Sequence, residues 1–268
     1  MDKKLLFFDI DGTLIDEKSN AIPESTIEAL KMARENGHYL FINTGRPISL
    51  VQPCIRALDF DGYLCGCGTY ILFRDEVLFH NHIPKNIQKS ILNLFFKYKL
   101  QGALEGTKDV FFPSTKEEKT HPTIRNFRKS YIQTKNYIKY FEDEDVDFDK
   151  FVIFTGEKFP ATKEYELLIN EIAKDFEIID RENDLLELIP LGFSKATCID
   201  FMCNYLGASL NNCYVFGDST NDTAMLTHVP HSIAMGNSMN EVLDLVSYVT
   251  TPTYEDGIYL AMKHFHLI

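Results

Sequence analysis

The sequence contains no tryptophan, so 21 phenylalanines and 13 tyrosines supply its aromatic bulk. It also has no hydrophobic run long enough to cross a bilayer. Asp9 and Asp11 interrupt the apolar patch near the start of the chain, so we expect no signal peptide. Positive charge is scarce: 27 Lys and Arg face 39 Asp and Glu, a net charge of −12. This balance argues against a general surface for nucleic acid or anionic membranes.

Six cysteines are present, but none belongs to a Cys-x-x-Cys pair and none lies with histidines at zinc spacing. The only close set is Cys65-Gly66-Cys67. We interpret the thiols as buried and reduced, which favours a cytoplasmic location. The 268 residues show no internal repeat, and their length fits one large domain or two smaller ones.

The most informative segment runs from Asp9 to Thr13 and follows the apolar run from Leu5 to Phe8. Four consecutive apolar residues before a turn predict a buried strand of a parallel sheet. Ligands bind at the carboxyl ends of such strands. Two carboxylates buried there need a positive partner, and a hard divalent cation that prefers oxygen ligands is the simplest one. A plain turn at Asp11-Gly12 is the alternative.

The pattern of the remaining chain alternates between strands and helices at first. Strand, helix, strand, helix, strand implies βαβ units and a parallel sheet. The predicted elements are a helix over 23–36, a strand over 39–42, a helix from Pro47 to about Ala57, a strand over 63–65 and a hairpin of 71–73 with 77–79.

After His82 this rhythm changes, and residues 83–190 are interpreted as a separate α+β insert. The insert is predicted to contain helices over 84–99 and 163–174, strands near 101–105, 110–112, 151–155, 177–179 and 185–189, and a highly charged stretch over 114–149. From Ser194 the first pattern resumes, with a helix over 194–205, strands over 213–216 and 231–234, and a final helix from about Asp256.

Four groups of polar residues lie at strand ends or at an adjacent helix start. Each group is weak by itself, because a Thr-Gly or Gly-Asp pair is usually only a turn. Their joint occurrence in this order is a specific signal. The groups are Asp9 with Asp11, Thr44 with Gly45, Lys195, and Asp218 with Asn221 and Asp222.

This constellation resembles the haloacid dehalogenase superfamily of phosphohydrolases, and more closely its Cof-type branch, in which a large cap is inserted between the second and third motifs. The resemblance covers essentially the whole chain. It implies an α/β fold with a Rossmann-like parallel-sheet core over 1–82 and 191–268 and a cap over 83–190.

The resemblance also implies roles for these residues, and elementary chemistry agrees with them. Asp9 would attack phosphorus and form an aspartyl-phosphate. Asp11 would protonate the leaving alkoxide and later take a proton from water. A magnesium ion would lie between the Asp9 carboxylate, the Asp11 backbone carbonyl and Asp218, with Asp222 completing the site.

Phosphoryl transfer needs positive groups and hydrogen-bond donors at the phosphate oxygens. Lys195 would supply the fixed charge, which places it among the catalytic residues together with Asp9, Asp11 and Thr44. The predicted substrate-binding residues are Gly12, Thr44, Gly45, Arg46, Lys195 and Asn221.

Two positions depart from the family pattern. Ala196 stands where family members often have glycine after the lysine, and Cys67-Gly68 stands where they usually have Asn-Gly. The missing asparagine usually lines the substrate side of the site, so its replacement by Cys67 leaves the choice of leaving group open.

The predicted function is a magnesium-dependent phosphatase acting on a small phosphorylated metabolite such as a sugar phosphate, with no nucleic acid or membrane partner. A phosphomutase is one alternative and would need cap arginines, for which Arg125 and Arg128 are candidates. A phospho-accepting sensor is another, although the acid–base group Asp11 argues against a long-lived acyl phosphate. The sequence does not indicate the substrate, the cap residues that select it or the oligomeric state.

Overall fold

The computed structural model describes residues 3–16, 18–114, 116, 120–135, 137–155, 163–181 and 185–268. The chain forms two compact units. Unit 1 comprises Met1–Gly45, Val51–Phe79 and Phe193–Ile268, and unit 2 comprises Arg46–Leu50 and His80–Gly192. The division into a catalytic core over 1–82 with 191–268 and a cap over 83–190 stays a prediction.

The strands are, in chain order, β1 (Leu5–Phe8), β2 (Tyr39–Asn43), β3 (Gly62–Cys65), β4 (Tyr70–Phe73), β5 (Glu76–His80), β6 (Gln101–Glu105), β7 (Val110–Phe112), β8 (Lys139–Tyr140), β9 (Lys150–Phe154), β10 (Phe176–Asp180), β11 (Leu185–Pro190), β12 (Cys213–Gly217), β13 (His231–Ala234) and β14 (Tyr248–Val249). The α-helices are α1 (Glu24–Glu35), α2 (Pro53–Arg56), α3 (Lys85–Tyr98), α4 (Pro122–Lys135), α5 (Lys163–Ile172), α6 (Thr197–Leu206), α7 (Thr223–His228), α8 (Asn240–Leu243) and α9 (Gly257–His264). Within the described ranges, no helix has the length and apolar character needed to span a membrane.

The sheet of unit 1 has the order β14-β13-β12-β1-β2-β3-β4-β5. Strands β14 to β3 are parallel, and β4 runs antiparallel to β3. All four residues of β1 are buried, and Phe7 stacks on Phe41 of β2 with ring centroids 4.9 Å apart. The predicted α/β fold class with a parallel-sheet core is confirmed, because continuous apolar runs are typical of strands covered on both faces.

One helix was predicted wrongly. The segment from Pro47 to Ala57 forms a 3₁₀ turn at Ile48–Leu50 and the short helix α2 instead of one continuous helix. Pro53 explains the break, because proline lacks an amide donor and disfavours helical geometry in the preceding residue. Gln52 is accordingly extended, with ψ of 150°.

Unit 2 has a sheet with the order β10-β11-β9-β6-β7-β8, in which the pairs from β10 to β7 are antiparallel. The helix α4 occupies the charged stretch in which the sequence predicted no element. Its buried residues Ile124 and Tyr131 and its partly buried Phe127 belong to one apolar cluster with Phe112. Three apolar positions among charged residues give only a weak helical periodicity in the sequence. They are sufficient for a helix because the sheet of unit 2 supplies the other side of the apolar cluster.

An ion network is buried on the sheet of unit 2. The Lys150 ammonium lies 2.8 Å from a carboxylate oxygen of Glu105 and 2.6 Å from one of Glu187. Burial raises the pKa of Glu105, while the ammonium of Lys150 opposes that rise. Buried charges of this kind are tolerated because each has a close partner of opposite sign.

We predict that Phe151→Ala lowers the free energy of unfolding by about 3–5 kcal/mol, the usual cost of emptying a buried aromatic site. Phe151 is fully buried and packs edge to face against Phe95 and Phe176. Phe96→Ala is the matched control, since Phe96 is 47% exposed, and should cost less than about 1 kcal/mol. Urea unfolding of both variants measures the difference, and equal losses would contradict this account of the core.

Candidate functional site

Three parallel strands at the centre of the sheet end beside one another. Asp9 follows β1, Thr44 follows β2 and Asp218 follows β12, and β1 pairs with both of the other strands. The carboxyl ends of parallel strands meet at one edge of the sheet, which is the ligand-binding edge of open α/β folds. The structure therefore brings the first, second and fourth predicted groups to the same edge.

Lys195 connects two carboxylates at this edge. Its Nζ lies 2.6 Å from Asp9 Oδ1 and 2.5 Å from Asp222 Oδ1, and the Lys195 side chain is fully buried. Burial by itself would lower the pKa of Lys195, but the charges of Asp222 and Asp9 raise it above its ordinary value. Lys195 is therefore a permanent positive charge within a dry acidic site.

Asp9, Asp218 and Asp222 form a buried group in which one carboxylate oxygen from each lies within 4.8 Å of the others. Burial, with the charges of Asp222 and Asp11, raises the pKa of Asp9 to about 7 against the opposing effect of Lys195. Burial and the charges of Asp222 and Asp9 raise the pKa of Asp218 to about 9. One ammonium does not balance three carboxylates, so the residues present fit a divalent cation with oxygen ligands.

Gly12 brings the loop after β1 against Asp218. Its φ is +77°, and a Cβ atom added there would lie 2.2 Å from Asp218 Oδ2. Thr13 Oγ1 donates a hydrogen bond of 3.0 Å to Asp218 Oδ1. Only glycine fits this position, because both the left-handed backbone and the adjacent carboxylate exclude a side chain.

Asp222 organises the loop after β12. Its Oδ2 accepts hydrogen bonds from the amides of Asp218 (2.9 Å) and Ser219 (3.1 Å). Asn221, also buried, accepts a 2.7 Å hydrogen bond from Ser219 Oγ at its Oδ1. Because both Asp222 oxygens accept from nitrogen donors, this residue orients the loop and the Lys195 ammonium together.

The loop after β2 carries Thr44, which is buried. The Thr44 amide donates to the Leu64 carbonyl at 2.9 Å. Its carbonyl accepts from the Cys67 amide at 3.1 Å. Cys67 adopts a left-handed backbone with φ of 55°, and its side chain interacts electrostatically with Lys195. The residue that replaces the expected asparagine therefore lies close to the site.

The helix predicted over 194–205 begins three residues later, because α6 starts at Thr197, and Lys195 lies just before its N-cap Ala196. The turn before α6 is held by Ser194, whose Oγ accepts from the amides of Ala196 and Thr197 at 3.2 Å. The Lys195 carbonyl accepts from Asn43 Nδ2 at 2.8 Å. Asn43 was missed as a positioning residue, although its place at the end of β2 was a usable signal.

The structure places the side chains of Asp11 and Arg46 outside the three-carboxylate group. The Asp11 carboxylate is not a member of it, although its charge raises the pKa of Asp9. Arg46 belongs to unit 2, where its Nη1 donates to the Leu50 carbonyl at 3.3 Å. The catalytic, substrate-binding and metal-binding roles assigned to the predicted site residues all stay predictions.

Asn237 and Thr253 were missed altogether. Asn237 Nδ2 donates to the Gly12 carbonyl at 2.9 Å, and Thr253 Oγ1 donates to the same oxygen. Asn237 follows β13 closely, so the strand-end rule that selected the other groups could have found it. Thr253 had no comparable signal in the sequence.

Comparison with known proteins gives one consistent answer. A family model described as haloacid dehalogenase-like hydrolase matches residues 6–262. The Bacillus subtilis (strain 168) protein YkrA, whose name gives phosphatase as a provisional activity, is 29% identical over 276 residues that cover 100% of both chains. YitU of the same organism, named 5-amino-6-(5-phospho-D-ribitylamino)uracil phosphatase, is 24% identical over 97% of each chain.

A solved structure agrees with these relatives. The sugar phosphatase BT4131, described as subclass IIB of the same superfamily, superposes with a TM-score of 0.82 at 30% identity. The match covers 99% of this chain and 100% of that one. The family resemblance and the phosphatase class predicted from the sequence are thus confirmed: the chain belongs to the haloacid dehalogenase-like hydrolases, as a phosphatase of the Cof type.

Proposed function

We propose that this phosphatase is magnesium-dependent and hydrolyses a small phosphorylated metabolite, such as a sugar phosphate, through an aspartyl-phosphate at Asp9. The observation that carries the proposal is the buried group of Asp9, Asp218 and Asp222 around the Lys195 ammonium. The names of two relatives support the substrate class, because one is a sugar phosphatase and the other acts on a phosphorylated ribityl compound.

Asp9 is the proposed nucleophile, since it is buried at the end of β1 with Lys195 at 2.6 Å from one of its oxygens. In the first step, an Asp9 oxygen bonds to phosphorus while the bond from phosphorus to the leaving-group oxygen breaks. Asp11 gives its proton to that departing oxygen. In the second step, Asp11 takes a proton from water, whose oxygen bonds to phosphorus as the bond to Asp9 breaks.

The magnesium ion would be held by the carboxylates of Asp9 and Asp218 and by the backbone carbonyl of Asp11. When bound, it neutralises negative charge on the carboxylates and the phosphate. Asp222 fits an outer position, because its two oxygens accept from the Lys195 ammonium and from two amides. There it keeps Asp218 and Lys195 oriented.

The phosphate would be bound by donors and positive charge from several loops. Lys195 supplies charge, and the Thr44 hydroxyl and the Gly45 amide supply hydrogen bonds to the equatorial oxygens. The Gly12 amide, which was predicted to join them, already donates to the Ile15 carbonyl at 3.0 Å and is not a donor to the phosphate. Asn221 completes the proposed set in unit 1, and a substrate-binding role of Arg46, which belongs to unit 2, stays a prediction. We assign catalysis to unit 1 and selection of the leaving group to unit 2, and we place the enzyme in the cytoplasm.

The phosphomutase alternative gains no support from Arg128, whose guanidinium is used inside unit 2. Its Nη2 donates to the Pro113 carbonyl at 2.6 Å, and its Cζ lies 5.6 Å from the centre of the Phe112 ring. These contacts are those of a packing residue.

We predict that Asp9→Asn lowers kcat for p-nitrophenyl phosphate at least about a thousandfold, because an amide oxygen is a poor nucleophile. Asp11→Asn should also slow turnover strongly while a phosphorylated enzyme accumulates, since the second step lacks its base. Phosphate release and intact-protein mass spectrometry measure both effects. Asp75→Asn is the control, because Asp75 is exposed on the β4–β5 turn. Near-normal turnover by Asp9→Asn would exclude this nucleophile.

We predict that Mg²⁺ raises the Tm of the wild-type enzyme and that EDTA reverses the rise. An ion that binds only the folded state at a hundredfold excess over Kd contributes about 2.7 kcal/mol. Asp218→Asn should lose most of this shift, whereas Asp75→Asn should retain it. Thermal unfolding with each addition, together with phosphate release, provides the measurement. An equal Mg²⁺ shift in Asp218→Asn would argue against the proposed ion site.

A further inference from the structure

Two loops that follow the outer strands β13 and β14 meet at a single backbone oxygen of the nucleophile loop. The Gly12 carbonyl accepts hydrogen bonds from Asn237 Nδ2 and from Thr253 Oγ1. The two donors are also joined to each other, because the Thr253 amide donates to Asn237 Oδ1 at 2.8 Å. Thr253 is 1% exposed, so its hydroxyl is almost completely removed from water.

The two loops are held together independently of these side chains. The Gly236 amide donates to the Thr251 carbonyl at 3.1 Å. A Cβ atom at Gly236 would lie 2.6 Å from the ring of Pro252, so the two backbones are in direct contact. Asn237 and Thr253 therefore approach Gly12 as one preformed pair of donors.

The loop after β13 also contacts the other side of the acidic site. The Met239 amide donates to the Asp218 carbonyl at 3.0 Å, and the Met235 amide donates to the Gly217 carbonyl at 3.2 Å. The same short loop thus binds the backbone that carries Asp218 and, through Asn237, the backbone that carries Asp9 and Asp11. The loop after β13 therefore connects the segment that carries Asp218 with the segment that carries Asp9 and Asp11.

The position of Gly12 matters because no side chain separates its backbone from the Asp218 carboxylate. A small displacement of Gly12 would change its contact with Asp218 and the hydrogen bond from Thr13 to Asp218. It would also rotate the neighbouring Asp11. Even a small displacement can lower a reaction rate strongly when it misaligns the reacting groups.

We propose that Asn237 and Thr253 are positioning residues that fix the turn of Asp11, Gly12 and Thr13 relative to Asp218 through the Gly12 carbonyl. This role rests on the function proposed above and adds two residues to it. Neither residue touches the reacting atoms in this role, so their effect is exerted through the backbone. Removing either donor should lower kcat about 10–100-fold, the range typical of outer partners of a metal or catalytic group. KM should change less than about threefold, since the phosphate-binding groups are retained.

The test compares Asn237→Ala and Thr253→Val with two matched controls in unit 1. Asn36→Ala also removes a side-chain amide bond to a distant carbonyl, that of Leu267 at 2.9 Å. Thr250→Val also removes a buried hydroxyl bond to a carbonyl, that of Gly257 at 2.8 Å. Thr253→Ser retains the hydroxyl and should restore kcat to within about threefold of the wild type.

Steady-state kinetics with p-nitrophenyl phosphate and Mg²⁺ give kcat and KM for each variant. The proposal expects low kcat in Asn237→Ala and Thr253→Val, with both controls near wild type. Equal losses in the controls, a change confined to KM, or no recovery in Thr253→Ser would overturn it.

Hydrogen exchange of the metal-free protein provides a readout that does not depend on activity. The amides of Gly12, Leu14 and Ile15 are bonded within this turn, to the carbonyls of Ile15 and Ile10. They should exchange faster in Asn237→Ala and Thr253→Val than in the wild type or the controls. Unchanged exchange would refute the positioning role. If the wild type released no phosphate but the exchange pattern held, the catalytic function would fail while the positioning inference stood.

Discussion

The structure of the site depends on the burial of three carboxylates around one ammonium. The Lys195 ammonium bonds the carboxylates of both Asp9 and Asp222. The second oxygen of Asp222 accepts hydrogen bonds from the backbone amides of Asp218 and Ser219. The single positive charge leaves an excess of negative charge in a dry environment, where uncompensated charge is costly. This imbalance makes the group suitable for a cation. Burial, together with the charges of the neighbouring carboxylates, raises the pKa values of Asp9 and Asp218.

Such a concentration of charge requires close backbone packing, and the chain achieves it with glycine at particular positions. At Gly12 a side chain would overlap the Asp218 carboxylate, and at Gly217 it would lie 2.7 Å from Asp222 Cγ. Gly68 is limited in the same way by the Ser194 carbonyl, 2.8 Å from an added Cβ. Gly12 and Gly68 therefore permit approaches between segments that are distant along the chain, and Gly217 permits Asp222 to fold back onto the end of β12. The geometry of the acidic group follows from these approaches.

Much of the fold could be predicted because its signals are local. The apolar run before Asp9 and the run before Gly217 are buried parallel strands, which read as continuous hydrophobic segments. The failures also have local causes. Pro53 divides the helix expected after Pro47, and α4 was missed because its apolar residues are few among charges. The start of α6 was placed too early because Ser194 caps a turn that precedes the helix.

The sequence by itself determined the order in which the polar groups follow the predicted strands, and with it the α/β class and the family resemblance. Apolar runs and the polar residues that end them are local features of the sequence. Only the tertiary structure decided which of those polar groups touch, since a contact such as that between Lys195 and Asp9 joins residues 186 positions apart. It alone revealed the hydrogen bonds that Asn43, Asn237 and Thr253 make, because an amide or hydroxyl acquires its partner only when the fold brings a carbonyl to it. Hydrogen bonds between loops depend on how the sheet sets those loops side by side, and no periodicity in the chain records that arrangement.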